Sequence, residues 1–214
     1  MPVRFICHDE EGYPARLPRF LGDGAPESIT ALGSFGILGK PALALFCSVK
    51  CPGSLILQTY DLACALRDAG MTVISGFHSP MEKECLRLLL RGKQPVIVCP
   101  AHCLPKRLPA EWKQPLADGR MLLLSPFNER QARITAEQAP FRNRFVAALA
   151  NEVFIGYAAP DSKTAAFTRE IGSWGKSLFT LDAPENAGLL ALGAKPLRPH
   201  DLGPLAELLP RRKA

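Results

Sequence analysis

From Pro41 onward, short apolar runs alternate with longer segments of helical period. The run Ala42-Leu-Ala-Leu-Phe-Cys47 is apolar at every position and is ended by Cys51-Pro52-Gly53. Such a run predicts a strand buried on both faces, as in a parallel sheet. Leu55, Thr59, Leu62, Ala63 and Leu66 then follow helical spacing, and Gly70 closes the segment. The alternation continues. Strands are predicted at Met71–Ser75, Pro95–Cys99, Met121–Leu124, Val153–Tyr157, Ser177–Leu181 and near Lys195–Leu197. Helices are predicted from Met81 to Leu89, Glu111 to Leu116, Phe141 to Ala150, Ser162 to Trp174 and Leu189 to Leu192. Alternation of this kind builds βαβ units, so the fold class is α/β: an open, mainly parallel sheet with helices on both faces.

The alternation occupies most of a 214-residue chain, enough for one such domain. Residues 1–40 read as an N-terminal extension packed on the core. Within them, Gly22 to Lys40 is a Gly-, Pro- and Ser-rich loop with short helical or strand pieces. Residues 41–200 form the main domain, and 201–214 a C-terminal helix with a basic tail. Hydrophobic residues at 47% and charged residues at 21% suit a packed globule and not a disordered chain. No apolar run is long enough to span a bilayer, and residues 1–11 carry acids with no apolar signal segment. Seven cysteines, an odd number without an export signal, predict reduced thiols in the cytoplasm.

The net charge of +6 comes from 26 Lys and Arg against 20 Asp and Glu. A basic excess suits a polyanion or a phosphate ligand. The basic residues form short groups: Arg87/Arg91/Lys93, Lys106/Arg107, Arg130/Arg133, Arg142/Arg144 and Arg211/Arg212/Lys213. In an open parallel sheet, ligands bind beyond the carboxyl ends of the strands. The segments that matter are therefore Cys47-Ser-Val-Lys50, Ser75-Gly-Phe-His-Ser79, Cys99-Pro-Ala-His-Cys103, Ser125-Pro-Phe127 and Ala158 to Thr164.

At these residues the sequence resembles the DNA-processing protein A (DprA/Smf) family, over about residues 12–198. Tyr13-Pro14 with Leu17 looks like the family's opening motif. Ala69-Gly70-Met-Thr-Val-Ile-Ser75-Gly76 looks like its second strand and Ser-Gly loop. Arg142-Asn143-Arg144 reproduces its Arg-Asn-Arg signature, and Asn186 to Ala194 resembles its closing segment. The resemblance implies a Rossmann-like fold, binding of single-stranded DNA, a role beside a recombinase in natural transformation, and a homodimer. The sequence departs from the family in its loops. Gly-Ser-Arg reads Cys47-Ser48-Val49, with Lys50 as the next cation. Ala-Arg-Gly-Ile-Asp reads His78-Ser79-Pro80-Met81-Glu82, and only the acid is kept in kind.

The residues supply a matching chemistry. Asp161 or Ser162 can cap a helix whose free N–H groups attract anions, while Lys163 adds charge and Thr164 a hydroxyl. Arg142 and Arg144 flank Asn143 near a helix start. Two positions apart, they do not share a face, so one can pair internally while the other meets ligand. The phosphate-binding candidates are Ser48, Lys50, Ser75, Gly76, Arg142, Asn143, Arg144, Ser162, Lys163 and Thr164. Phe77 and Phe127 follow strands and are candidates for stacking on bases, or for core. Cys47, Cys51, His78, Cys99, His102 and Cys103 all fall at the same sheet edge, but with a Cys-x3-Cys spacing that makes inert buried thiols the leading reading over a metal site. No nucleophile elbow, no glycine-rich phosphate loop ending in Gly-Lys-Ser or Gly-Lys-Thr, and no dinucleotide fingerprint is present. No cofactor and no catalytic residue is assigned. The alternative reading is a nucleotide- or small-ligand-binding sensor or enzyme of the same Rossmann-like superfamily.

Overall fold

The computed structural model describes residues 2–128 and 135–210. The basic groups Arg130/Arg133 and Arg211/Arg212/Lys213 lie outside the described residues. Among the described residues nine strands form one sheet: β1 (Arg4–Cys7), β2 (Ser28–Gly33), β3 (Ala42–Phe46), β4 (Thr72–Ser75), β5 (Val96–Val98), β6 (Met121–Ser125), β7 (Glu152–Ile155), β8 (Leu178–Leu181) and β9 (Lys195–Leu197). Their spatial order is β1-β2-β6-β5-β4-β3-β7-β8-β9. Pairing from β6 through to β9 is parallel, and β2 joins β6 and β1 antiparallel. Seven α-helices are described: α1 (Arg16–Leu21), α2 (Gly53–Asp68), α3 (Pro80–Leu90), α4 (Ala110–Ala117), α5 (Gln138–Leu149), α6 (Lys163–Gly172) and α7 (Ala187–Ala191). None of the described helices is long and apolar enough to cross a membrane.

The continuous apolar runs are explained by two cores, one on each face. Successive side chains of a strand point to opposite faces. Ala44 and Phe46 of β3 therefore meet Phe145 and Val146 of α5 and Phe167 and Ile171 of α6 in one core. Leu43 and Leu45, one step out of phase, meet Leu55, Leu62 and Leu66 of α2 and the apolar side of α3 in the other. The strand order sets the position of any ligand site. Going forward in sequence, β3 to β6 step outward on one side, whereas β7, β8 and β9 step outward on the other. The order thus reverses between β3 and β7, the kind of switch point at whose carboxyl ends open α/β sheets bind their ligands.

The structure differs from the sequence reading chiefly at three places. The Gly- and Pro-rich stretch before Lys40 contains β2, whose residues 30–33 pair with 125–122 of β6. Its turn chemistry hid a six-residue strand that ends on Gly33 at φ +112, where a Cβ would stand 2.3 Å from the Met121 carbonyl. After residue 201 the described helical piece is a short 3-10 helix, Gly203–Leu208, which anchors Leu205 and Leu208 in the core. Helix α5 begins three residues earlier than predicted, because Pro140 falls in its first turn, where proline is tolerated. Arg142 and Arg144 consequently sit in the second turn and not at the helix start. At its far end, α5 is closed by cations. Arg16 Nη1 donates to the Leu149 carbonyl at 2.9 Å and Lys176 Nζ to the Ala148 carbonyl at 3.3 Å.

Phe154 of β7 is fully buried in the second core. Phe154→Ala is expected to cost about 3–5 kcal/mol in urea unfolding, whereas Leu57→Ala, on an exposed helix position, stays within about 0.5 kcal/mol.

Candidate nucleic-acid interface

The switch point is bridged by hydrogen bonds of one residue. Ser48, the second residue after β3, donates its backbone N–H to the Tyr157 carbonyl at 2.9 Å, and its hydroxyl accepts from Ala159 N–H at 3.4 Å. The loop after β3 is thereby joined to the loop after β7. Val49 and Lys50 stand exposed beyond this junction. On the other loop Asp161 takes a left-handed turn at φ +54, and Ser162 caps α6 by accepting from Ala165 N–H at 3.1 Å. Of the two predicted caps, Ser162 is the one used. Lys163 is exposed, Thr164 is half-buried, and the first turn of α6 carries no acid. The first turn of α2 also has no acid and no side-chain cap, although Ser54 beside it is bonded to Glu185. The loops that Ser48 joins thus carry Lys50 on one side and Lys163 with the amino end of α6 on the other, groups that favour an anion.

A second cluster lies one strand over. Glu82 of α3 is 6% exposed, and its carboxylate accepts three backbone N–H groups: Cys47 at 3.0 Å, His78 at 2.7 Å and Ser79 at 3.3 Å. Ser79 completes a capping box, its hydroxyl accepting Glu82 N–H at 3.2 Å. One carboxylate therefore fixes the end of β3 and the turn from β4 into α3 together. Ser75 is fully buried and its hydroxyl accepts Phe77 N–H at 3.1 Å, which occupies it within the turn.

Arg142 reaches the same edge from below. It is 4% exposed; Nη1 donates to the Cys99 carbonyl and Nε to Asn143 Oδ1, both at 2.9 Å. Burial holds its pKa below the ordinary arginine value, and the nearby Glu82 charge opposes that shift. Gly76 leaves the room that the guanidinium fills: a Cβ would fall 1.2 Å from Arg142 Nη1, and Arg142 would have to shift. Arg144 turns the other way and pairs with Glu170 of α6 at 2.6 Å. The separate faces anticipated for the two arginines are what the helix presents, and Arg144 is the internally paired one.

The family model described as DNA recombination-mediator protein A matches residues 4–193. The chain belongs to this family. Solved structures agree on the fold. DNA processing protein A (DprA) from Streptococcus pneumoniae matches with a TM-score of 0.78 and 20% identity, over 95% of this chain and 74% of that one. The Helicobacter pylori DNA processing protein A, whose structure is described in terms of its single-stranded DNA binding mode, matches with a TM-score of 0.76 and 20% identity, over 96% and 94%. A molybdenum cofactor binding protein from Rippkaea orientalis shares the fold more loosely, at TM-score 0.55 and 11% identity over 78% and 96%. The curated proteins include no match to the chain.

In this family member the candidate residues divide into three sets. Ser48, Lys50, Ser162, Lys163 and Thr164 belong to the two loops that Ser48 joins. Ser75, Gly76, Arg142 and Asn143 belong to the neighbouring Glu82 cluster, and Arg144 faces α6. Phe77, with φ +47, and Phe127 are both buried, and the Phe127 ring packs on Phe141 at 5.8 Å between centroids. Neither ring is open to solvent: Phe77 packs in the second core and borders the cavity beside Arg142, and Phe127 borders a cavity with Phe141. The Cys and His candidates are spread along the edge. The hydrogen bond with Cys51, together with burial, drives the Cys47 thiol up, and the same bond lowers that of Cys51 against the opposing effect of burial. Burial pushes Cys99 up to about 12. His102 Nδ1 lies 2.6 Å from the Cys103 carbonyl, and His78 is exposed. Among the described residues no three His, Cys, Asp or Glu groups converge to hold a metal ion. The sequence reading missed Lys83 and Trp112 and named Arg87 only within a basic group; all three line a cavity beside Arg142. They lie on helices, outside any motif, and only the packing of α3 against α4 reveals them.

Glu82→Ala leaves three N–H groups without their acceptor. It is expected to destabilise the protein by about 3 kcal/mol or more in urea unfolding, against about 1 kcal/mol for a typical single substitution.

Proposed function

We propose that this chain binds single-stranded DNA through its backbone phosphates at the carboxyl edge of the sheet, and serves DNA processing during uptake and recombination. The observation that carries this is the junction made by Ser48. It joins two loops that carry Lys50 and Lys163 beside the capped amino end of α6, with no acid in that first turn. Lysines on loops and backbone N–H groups at a helix start read phosphates without regard to base sequence, as a strand-processing protein requires. Family membership and the binding mode reported for the Helicobacter pylori relative support the same partner. In this reading Arg142 and Glu82 position the edge, and Lys50, Lys163 and Thr164 meet the strand. Lys50 takes the place of the family's loop arginine as the cation that follows Ser48. No catalytic step is assigned. The reading extends to a cytoplasmic homodimer that passes its strand to a recombinase. Light scattering should then give about twice the 23.3 kDa chain mass.

Fluorescence anisotropy with a labelled oligothymidine at several salt concentrations tests the proposal. Affinity is expected to fall log-linearly with salt, with a slope of about 0.7 per neutralised phosphate. Lys50→Glu and Lys163→Glu should each weaken binding several-fold, and each should lower that slope by about 0.7 because one phosphate is no longer neutralised. No binding at low salt would remove the proposal.

A further inference from the structure

We infer that Cys47 and Cys51 form a peroxide-responsive thiol couple: Cys51 is oxidised first, and Cys47 resolves it into a disulfide that closes the loop after β3. The two residues stand at the ends of the segment Cys47-Ser-Val-Lys-Cys51, which leads from β3 toward α2. All seven cysteines are free, and these two have their thiols in hydrogen-bond contact. A disulfide forms only where two sulfurs can approach along favourable Cβ directions. Here they already meet, so the bond asks for an adjustment of one short loop and not of the sheet. Cys85, buried on α3, is the rival partner, but it senses the Cys51 charge without sharing a hydrogen bond with it. Cys47 stands where the family's loop has glycine, so the couple is a property of this chain's own loop.

The two thiols differ in the ways that sensing requires. Cys51 is half-buried and lines a cavity of about 330 Å³. Lys83 and Arg87 line the same cavity; Arg87 is paired with Glu84, which leaves Lys83 as the uncompensated charge. The hydrogen bond with Cys47 lowers the Cys51 pKa against the opposing effect of burial. An accessible thiol with a lowered pKa in a cationic setting is the reactive kind, because the thiolate is the nucleophile. Cys47 is 6% exposed, and its bond with Cys51, its burial and the charge of Glu82 all hold its thiol protonated. It is shielded from an oxidant in solvent, yet it touches the sulfur that is oxidised, which makes it the resolving partner.

The chemistry balances with a peroxide as oxidant. The Cys51 thiolate attacks one peroxide oxygen, the O–O bond breaks, and hydroxide leaves to take up the proton that Cys51 gave up. Cys51 is then a sulfenic acid. The Cys47 sulfur attacks the Cys51 sulfur, the S–O bond breaks, and the departing hydroxide takes the Cys47 proton as water. Two thiols are oxidised to one disulfide, and one hydrogen peroxide is reduced to two waters. The ring so closed contains Lys50 and Ser48, whose bonds to Tyr157 and Ala159 join the two loops. Oxidation should therefore weaken the binding of a strand. This consequence rests on the function proposed above, whereas the couple itself does not.

Titration of the reduced whole protein with hydrogen peroxide, followed by mass spectrometry of the digested chain, tests the couple without DNA. A Cys47–Cys51 disulfide is expected at stoichiometric peroxide, with the Cys51 thiol lost about tenfold faster than that of Cys7, which is exposed. Cys47→Ala should stop the reaction at a Cys51 sulfenic acid that dimedone traps, and Cys51→Ala should leave Cys47 unreacted. The wild-type map decides the matter even where a variant does not fold. Loss of Cys51 no faster than Cys7, or a disulfide from Cys51 to Cys85 or between two chains in place of Cys47–Cys51, overturns the inference. Anisotropy with oligothymidine reads the consequence separately. Binding that is several-fold weaker after oxidation and restored by dithiothreitol supports it. Binding that oxidation leaves unchanged removes the consequence alone, and no binding by the reduced protein removes it together with the proposed function, while the mass map still decides the couple.

Discussion

The Glu82 carboxylate, buried and holding three backbone N–H groups, is the contact on which the carboxyl edge depends. It joins the end of β3 to the turn that follows β4, and both segments carry candidate ligand groups. Buried carboxylates are tolerated when their oxygens are filled by donors, and this one has a donor from each of three residues. From Cys47 the chain passes straight to Ser48, whose own bonds reach the loop after β7. Glu82 therefore acts through two successive residues on a switch point that it does not touch.

Arg142 supplies the complementary charge. It lies under Gly76 with its Nη1 on the Cys99 carbonyl, so that a buried cation and a buried anion stand on the same edge without an ion pair between them. Each is held by neutral groups, and their mutual attraction acts at longer range. This separation leaves the guanidinium facing a cavity and not consumed by an acid. The edge thus offers two places of positive potential, the switch point between β3 and β7 and the cavity between α3 and α4, on adjacent parts of one sheet. The +6 net charge of the chain has a local meaning only through this arrangement.

Much of the fold was legible in the sequence because it follows from period. The seven strands from β3 to β9 correspond to short runs bounded by turn residues, and their carboxyl ends named the loops that form the edge. β2 was not legible, since its six residues lie among glycines and prolines and it is held in place by pairing with β6, a contact remote in sequence. The layout of the candidate site was legible in part. Ser48, Ser162 and Lys163 could be placed by strand ends and cap chemistry. The direction of each arginine could not, because it depends on which neighbour lies beneath the helix: Gly76 and Cys99 for Arg142, Glu170 for Arg144. Phe77 and Phe127 show the same limit, since an aromatic at a strand end has the same sequence signature whether it faces solvent or core, and here both are buried.

Strand binding at the carboxyl edge is tested most directly by photocross-linking a thymidine oligonucleotide to the whole protein, with the linked peptides located by mass spectrometry. Cross-links are expected in the loops after β3 and β7, residues 47–52 and 158–164, with any further ones at the cavity walls. Cross-links confined to the opposite, amino-terminal edge of the sheet, such as the turns at Gly70, Gly119 and Asn151, would contradict binding at the carboxyl edge.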